Sequence, residues 1–335
     1  MKLFNKYKKC MLLVCILFIG AVIGIAGCYG SNNEENAYFF PQEQTSVEYE
    51  SYIYPLSSRE IWQPLNLNIK KLKEFENGIL YALKLDQLEE TDDPWDQISM
   101  GRQYLGYFYV TEIAVYRKAV ETSDGFTQEQ TDKMIELIEK DEEAFCADCT
   151  IVCCENGTED IVDEDGYHAY VEASGEQITY HMYNDYAYGT KPYEKIVWEK
   201  GKGIVYYVYG AGNMLMNVML WTEEYRDRIY SQIEEYIRQE VPEIAEYEKK
   251  LLEESKGEVS LVLNVSMKGS EDFTSKPGWY FIYVKERRGE EEQDVVCFAV
   301  NESKNNVYWY YPIENGEFFS LEEWRRSSYY SEIGW

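Results

Sequence analysis

Between Thr150 and Trp221 short runs of aromatic and β-branched residues alternate with turn-forming residues, and this spacing restricts the fold more than any other feature. The runs are Thr150 to Glu155, Tyr167 to Glu172, Gln177 to Tyr183, Lys195 to Glu199, Ile204 to Tyr209 and Asn213 to Trp221. Ser174-Gly175 and Gly201-Lys202-Gly203 are turn signals between them. Connections this short join antiparallel neighbours, because a parallel crossover needs a dozen residues or more. The spacing predicts an antiparallel sheet that closes into a sandwich or a barrel.

Flanking segments extend this reading. Phe75 to Asp86 and Tyr104 to Lys118 read as strands, the second a hairpin broken near Thr111-Glu112, with a polar loop ending at Pro94 between them. Thr127-x-x-Gln130 is a capping box, and Met134, Leu137, Ile138 and Phe145 recur at helical spacing, predicting a helix from about Gln128 to Phe145. Thr222 caps a long acidic helix whose apolar positions are Ile229, Ile233, Ile237, Val241, Ile244, Tyr247 and Leu251, and Pro242 should kink or split it. Beyond Gly257 four strands alternate, centred on Val259 to Val265, Trp279 to Tyr283, Val295 to Ala299 and Val307 to Tyr311. One helix on a four-stranded antiparallel sheet satisfies that pattern. Ser320-x-x-Glu323 then caps a short terminal helix.

The fold class is therefore α+β: a β-rich domain with one helix over 46–222, and a helix-plus-sheet domain over 223–335. In the second, Trp279-Tyr280-Phe281-Ile282-Tyr283-Val284 and the stretch from Phe298 to Tyr308 resemble the small cystatin-like or PepSY-like modules of Gram-positive surface proteins.

The N-terminus carries an address. Lys2, Lys6, Lys8 and Lys9 precede seventeen uncharged, mainly apolar residues, Cys10 to Ala26, which is the layout of an export signal. At 1.5 Å per residue that stretch barely crosses a hydrocarbon core of about 30 Å, so it suits a cleaved signal better than a permanent span. Ile25-Ala26-Gly27-Cys28 resembles the lipobox of bacterial lipoproteins. The resemblance implies cleavage between Gly27 and Cys28, a diacylglyceryl lipid on Cys28 and anchoring at the extracellular face of the cell membrane. Two acyl chains, at about 0.8 kcal/mol per buried methylene, suffice for stable anchoring. Residues 28–45, with Ser31-Asn32-Asn33-Glu34-Glu35-Asn36, then read as a disordered tether. Tyr107-Phe108-Tyr109-Val110-Thr111-Glu112 and Val197-Trp198-Glu199-Lys200-Gly201-Lys202-Gly203 resemble surface lipoproteins of gut Gram-positive bacteria, a resemblance that brings no activity with it.

Charge excludes one class of partner. Loss of the leader removes four lysines and takes the net charge from −29 to −33, a surface that repels nucleic-acid phosphates. Yet 45% of residues are hydrophobic and 32 are tyrosines, so the chain builds real cores rather than an acidic coil.

Past Cys28 five cysteines remain, an odd number that cannot all pair within the chain. Cys146, Cys149, Cys153 and Cys154 lie within nine residues and are candidates for a disulfide, for a metal site or for free, mostly buried thiols. On the strand reading Cys149 and Cys153 share a face and Cys154 opposes them. Cys297, between Val296 and Phe298, reads as a core residue.

The two histidines, His168 and His181, sit on neighbouring strands. A turn at Ser174-Gly175 would set them directly opposite each other, on the face that also carries Tyr170, Glu172, Gln177 and Thr179. With Glu172 they form a second candidate metal site, and a metal-capturing reading needs the histidines and the cysteine group to converge. Asp163-x-Asp165-Gly166 partly imitates a calcium loop, but its first position would be Ile161, which cannot ligate. Gly210-Ala211-Gly212 lacks the third glycine, the P-loop lysine and the following helix of a phosphate loop. No catalytic residue and no bound cofactor beyond the lipid is expected. The sequence points to noncatalytic binding of an extracellular protein, peptide or glycan. Its rivals are a carboxylate-dependent surface hydrolase acting on glycan or cell-wall material, and a metal-capturing lipoprotein.

Overall fold

The computed structural model describes residues 36–54, 61–86, 104–120, 125–184, 193–210, 217–267, 279–301, 304, 306–311 and 317–334. The leader with Gly27 and Cys28, the loop ending at Pro94, and Ala211 and Gly212 lie outside them. The chain divides into two compact units, one up to Leu220 and one from Trp221.

The first unit is a twelve-stranded antiparallel sheet: β1 (Ser46–Tyr54), β2 (Ile61–Glu74), β3 (Ile79–Leu85), β4 (Tyr104–Val110), β5 (Ala114–Lys118), β6 (Thr150–Cys154), β7 (Ile161–Val162), β8 (Tyr167–Ser174), β9 (Gln177–Asn184), β10 (Tyr193–Glu199), β11 (Gly203–Gly210) and β12 (Asn217–Trp221). Their spatial order is β6-β5-β4-β3-β2-β1-β12-β11-β10-β9-β8-β7. A twisted sheet this wide curls, and here β6 comes to lie against β8 and β9. The Trp198 indole N–H on β10 donates to the Val152 carbonyl on β6 at 2.8 Å, and Thr158 N–H to Val171 carbonyl at 2.9 Å. Among the described residues no strand ladder joins the two ends of the sheet, so it is a curled open sheet rather than a closed barrel.

Alternation sorts its side chains. Tyr49, Leu65, Leu67, Leu83, Phe108, Val115, Val171, Ile178, Tyr180, Ile196 and Trp198 face one inner core. The opposite face of β3 and β4 is covered by α1 (Gln128–Lys140) and α2 (Glu142–Ala147), whose Met134, Ile138 and Phe145 pack on Leu80, Ala82, Tyr107 and Tyr109. The single expected helix is thus two, because Asp141 takes an extended conformation, ends α1 and caps α2 through the Ala144 N–H.

Part of the expected tether, residues 36–45, belongs to the folded unit. From Asn36 the chain is ordered, with the Asn36 amide donating to the carbonyls of Thr111 and Glu112 while its oxygen accepts from the Tyr38 and Phe39 N–H groups. That clamp delivers Phe39 and Phe40 into the inner core against Trp198 and Tyr81. Burial of two phenyl rings, about 2 kcal/mol each, outweighs the polar character that made the segment read as disordered.

The second unit holds α3 (Glu223–Glu240) and α4 (Glu243–Glu254), split at Pro242, and a sheet in the order β13 (Ser260–Ser266), β14 (Trp279–Arg288), β15 (Glu291–Asn301), β16 (Val307–Tyr311) and β17 (Glu317–Ser320). It has five strands where four were expected, since Glu317–Ser320 pairs with β16 immediately before α5 (Leu321–Arg326) and α6 (Ser328–Glu332). Ser320 and Glu323 form the expected capping box at α5. The whole is α+β with antiparallel sheets and few helices.

Candidate recognition surface

The β8–β9 hairpin turns at Gly175-Glu176, with Ser174 paired to Gln177, one residue later than the turn expected from sequence. Gly175, at φ +62°, accepts the left-handed conformation that Ser174 would resist. Moving the turn by one residue moves every pairing by two positions and leaves the faces unchanged. His168 therefore faces Tyr183, and Tyr170 faces His181. The histidines are not a direct pair.

What results is a cross-strand ladder on the outer face. The His168 ring lies parallel to Tyr183 at 4.8 Å, Tyr170 is stacked on His181 at 4.7 Å, and Tyr170 meets Tyr183 edge to face at 6.4 Å. Asp160 Oδ2 is 2.7 Å from His168 Nδ1, and Glu172 Oε2 is 3.8 Å from His181 Nε2. Burial, followed by the charges of Tyr183, Glu172 and Asp160, pushes the Tyr170 phenol up. All four rings are half-buried. Because the rings occupy one another's faces, they leave mainly their edges to an incoming molecule, while His168 Nδ1 is engaged by Asp160 and His181 Nε2 is itself buried.

Beside this ladder runs β7, at one end of the sheet. Ile161 and Val162 on it are 67% and 54% exposed, against full burial for most large apolar residues of this unit. Glu159, Asp160, Asp163, Glu164 and Asp165 flank them, all exposed. Asp163 does not await a cation: its carboxylate accepts the N–H groups of Asp165 and Tyr167, both at 2.9 Å, and closes a tight turn completed by Gly166 at φ +79°. Among the described residues no three His, Cys, Asp or Glu side chains are grouped to hold a metal ion, and His168, His181 and Glu172 are split between the two stacks.

The cysteines disperse. All five are free: Cys146 on α2 and Cys149 just beyond it pack into the helix-covered core on the outer face of the sheet, whereas Cys153 points into the inner core. Cys149 and Cys153 thus lie on opposite faces, because Cys149 precedes β6 and Val152 forms a bulge within it. Burial pushes the thiols of Cys146 and Cys149 up to about 12, which keeps them protonated and unreactive.

Inside the curled sheet sits a polar group that sequence reading passed over. Arg117 on β5 and Glu194 on β10 form a bidentate ion pair, with N···O distances of 2.7 and 2.5 Å and side chains only 12% and 5% exposed. The Tyr207 hydroxyl donates to the same carboxylate at 3.1 Å, and the guanidinium lies over the Tyr180 ring at 5.8 Å. Burial would lower the Arg117 pKa, but the charge and hydrogen bonds of Glu194 hold it above the usual arginine value. Both carboxylate oxygens are engaged, so Glu194 is a structural clamp between distant strands and not an available general acid. An arginine in a strand that alternates inward with Val115 was the only signal in the sequence.

No protein-family model matches the chain, and no curated protein matches it. Among solved structures it is similar to a Bacteroides fragilis protein with a YmcC-like fold, provisionally described as exported, at 10% identity and a TM-score of 0.22. That similarity covers 55% of this chain and 97% of the other.

Proposed function

We propose that this protein is a lipid-anchored receptor or adaptor at the extracellular face of a bacterial membrane, held there by a diacylglyceryl group on Cys28, and that it binds a protein or peptide without catalysis. The observation that carries the reading is the outer surface of β7–β9. There exposed Val162, opposite His168, adjoins a ladder of aromatic ring edges, and exposed Ile161 stands beside it on the other face of the same strand. Peptide recognition suits edge-presented rings, whereas a glycan stacks on free ring faces. The glycan alternative has its best support in the second unit, where half-buried Trp279, Tyr308 and Phe318 cluster with centroids 5.0 to 6.1 Å apart.

Capture from intact envelopes compares the anchored wild type with a His181→Ala/Tyr183→Ala variant. The proposal expects a specific extracellular protein whose recovery falls at least tenfold with the variant. Equal recovery by both, or turnover of a wall or glycan substrate by the purified protein, contradicts it. Mass spectrometry of the N-terminal peptide checks the anchor, and an unlipidated Cys28 still joined to Gly27 in membranes contradicts that part.

A further inference from the structure

We infer that the β7 edge accepts an extended, positively charged partner segment as an added antiparallel strand, which rests on the recognition reading above and names its partner chemistry. The ladder of β7 with β8 fixes which backbone groups are available. Asp163 N–H donates to the Tyr167 carbonyl at 3.0 Å and Gly166 N–H to the Asp163 carbonyl at 3.1 Å, so Asp163 opposite Tyr167 is a hydrogen-bonded position. Bonded and non-bonded positions alternate along an antiparallel pair. Val162, opposite His168, is therefore non-bonded to β8, and its N–H and C=O point out of the sheet.

An outward-facing backbone pair flanked by exposed Ile161 and Val162 is a template for strand addition. Charge chooses among occupants. A second copy of the chain would bring the same five acids, Glu159, Asp160, Asp163, Glu164 and Asp165, against themselves and be repelled. A strand carrying Lys or Arg at alternate positions meets those acids instead, while its intervening aliphatic residues cover Val162 or Ile161.

The test uses the mature full-length chain and a synthetic octapeptide of alternating Lys and Val, with a Glu-Val octapeptide as control. The Lys-Val peptide should bind, slow amide exchange at Val162, and lose affinity as salt rises; the Glu-Val peptide should not bind. Val162→Pro removes the outward N–H without removing a bond to β8, and should weaken binding at least tenfold. Glu159→Gln/Glu164→Gln, at two exposed positions, should weaken it several-fold and flatten the salt dependence. Absence of Lys-Val binding, unchanged affinity in Val162→Pro, or exchange protection located away from β7 overturns the inference. If envelope capture still depends on His181 and Tyr183 under those outcomes, the recognition reading survives and only strand addition falls.

Discussion

Gly203 shows how narrowly single residues are constrained in the curled sheet. A Cβ built there would lie 2.2 Å from the Phe40 ring, and the residue holds φ at +82°. Gly203→Ala should therefore destabilise the first unit by about 2 to 4 kcal/mol, combining left-handed strain with overpacking. Chemical denaturation followed by tryptophan fluorescence checks this, and adding Phe40→Ala should make the second loss smaller than it is alone. The Arg117–Glu194 pair gives a second prediction at this scale. Glu194→Leu or Arg117→Met alone strands a buried charge and should cost about 3 to 5 kcal/mol, while the double substitution should cost less than the two singles combined. Additive losses in that cycle would mean the pair is not coupled.

Among elements, legibility followed how far local sequence controls geometry. Thr127, Thr222 and Ser320 accept the N–H hydrogen bonds of Gln130, Tyr225 and Glu323, as their positions promised, because capping is settled within four residues. Pro242 divides α3 from α4 for an equally local reason. β1 and β2 were not legible. Leu65, Leu67 and Ile69 alternate correctly, but Asn66, Asn68 and Lys70 between them face outward, and Pro64 argues against a strand. The structure tolerates Pro64 because it stands opposite Glu50 at a position not hydrogen-bonded to β1: the bonded positions alternate from Ile69, whose N–H donates to Thr45, so the missing N–H costs that ladder nothing. The histidine ladder was half legible: face assignment survives a two-residue register change, and partner identity does not.

A pH prediction also belongs to the elements. Burial alone would raise the Glu243 carboxyl at the start of α4, but the Arg325 hydrogen bonds at 2.5 and 3.1 Å, a backbone bond and the Arg325 charge hold it below its ordinary value. A carboxyl depressed on folding stabilises fully above its unfolded pKa and loses that contribution as pH falls through the folded value. Arg325 is 39% exposed, so Arg325→Met should cost only about 1 kcal/mol at neutral pH. The gap between wild type and variant should close as acidification protonates Glu243, at a pH below the ordinary carboxylate range, as denaturation curves across pH would reveal. A gap that persists there would assign the loss to packing of the arginine stem instead.

At the scale of the whole molecule, the expected barrel or sandwich became an open curled sheet because twelve strands twist enough to bring β6 against β8 and β9 without a joining ladder. Such long-range closure depends on the Trp198–Val152 bond, the Arg117–Glu194 pair and the Phe39–Phe40 plug, each between residues far apart in the chain, which no local pattern announces. An open sheet keeps a terminal strand, and this one ends on β7, with apolar side chains exposed amid acids. The central claim is that this end, with the β8–β9 outer face, is where the molecule meets its partner. Site-specific photo-crosslinking on intact cells tests it most directly, with the reactive residue placed at Val162 or Glu172 and, as control, at exposed Leu137 on α1. The account predicts a discrete extracellular protein adduct from Val162 and Glu172 and none from Leu137; equal labelling from all three positions, or adducts only from Leu137, would contradict it.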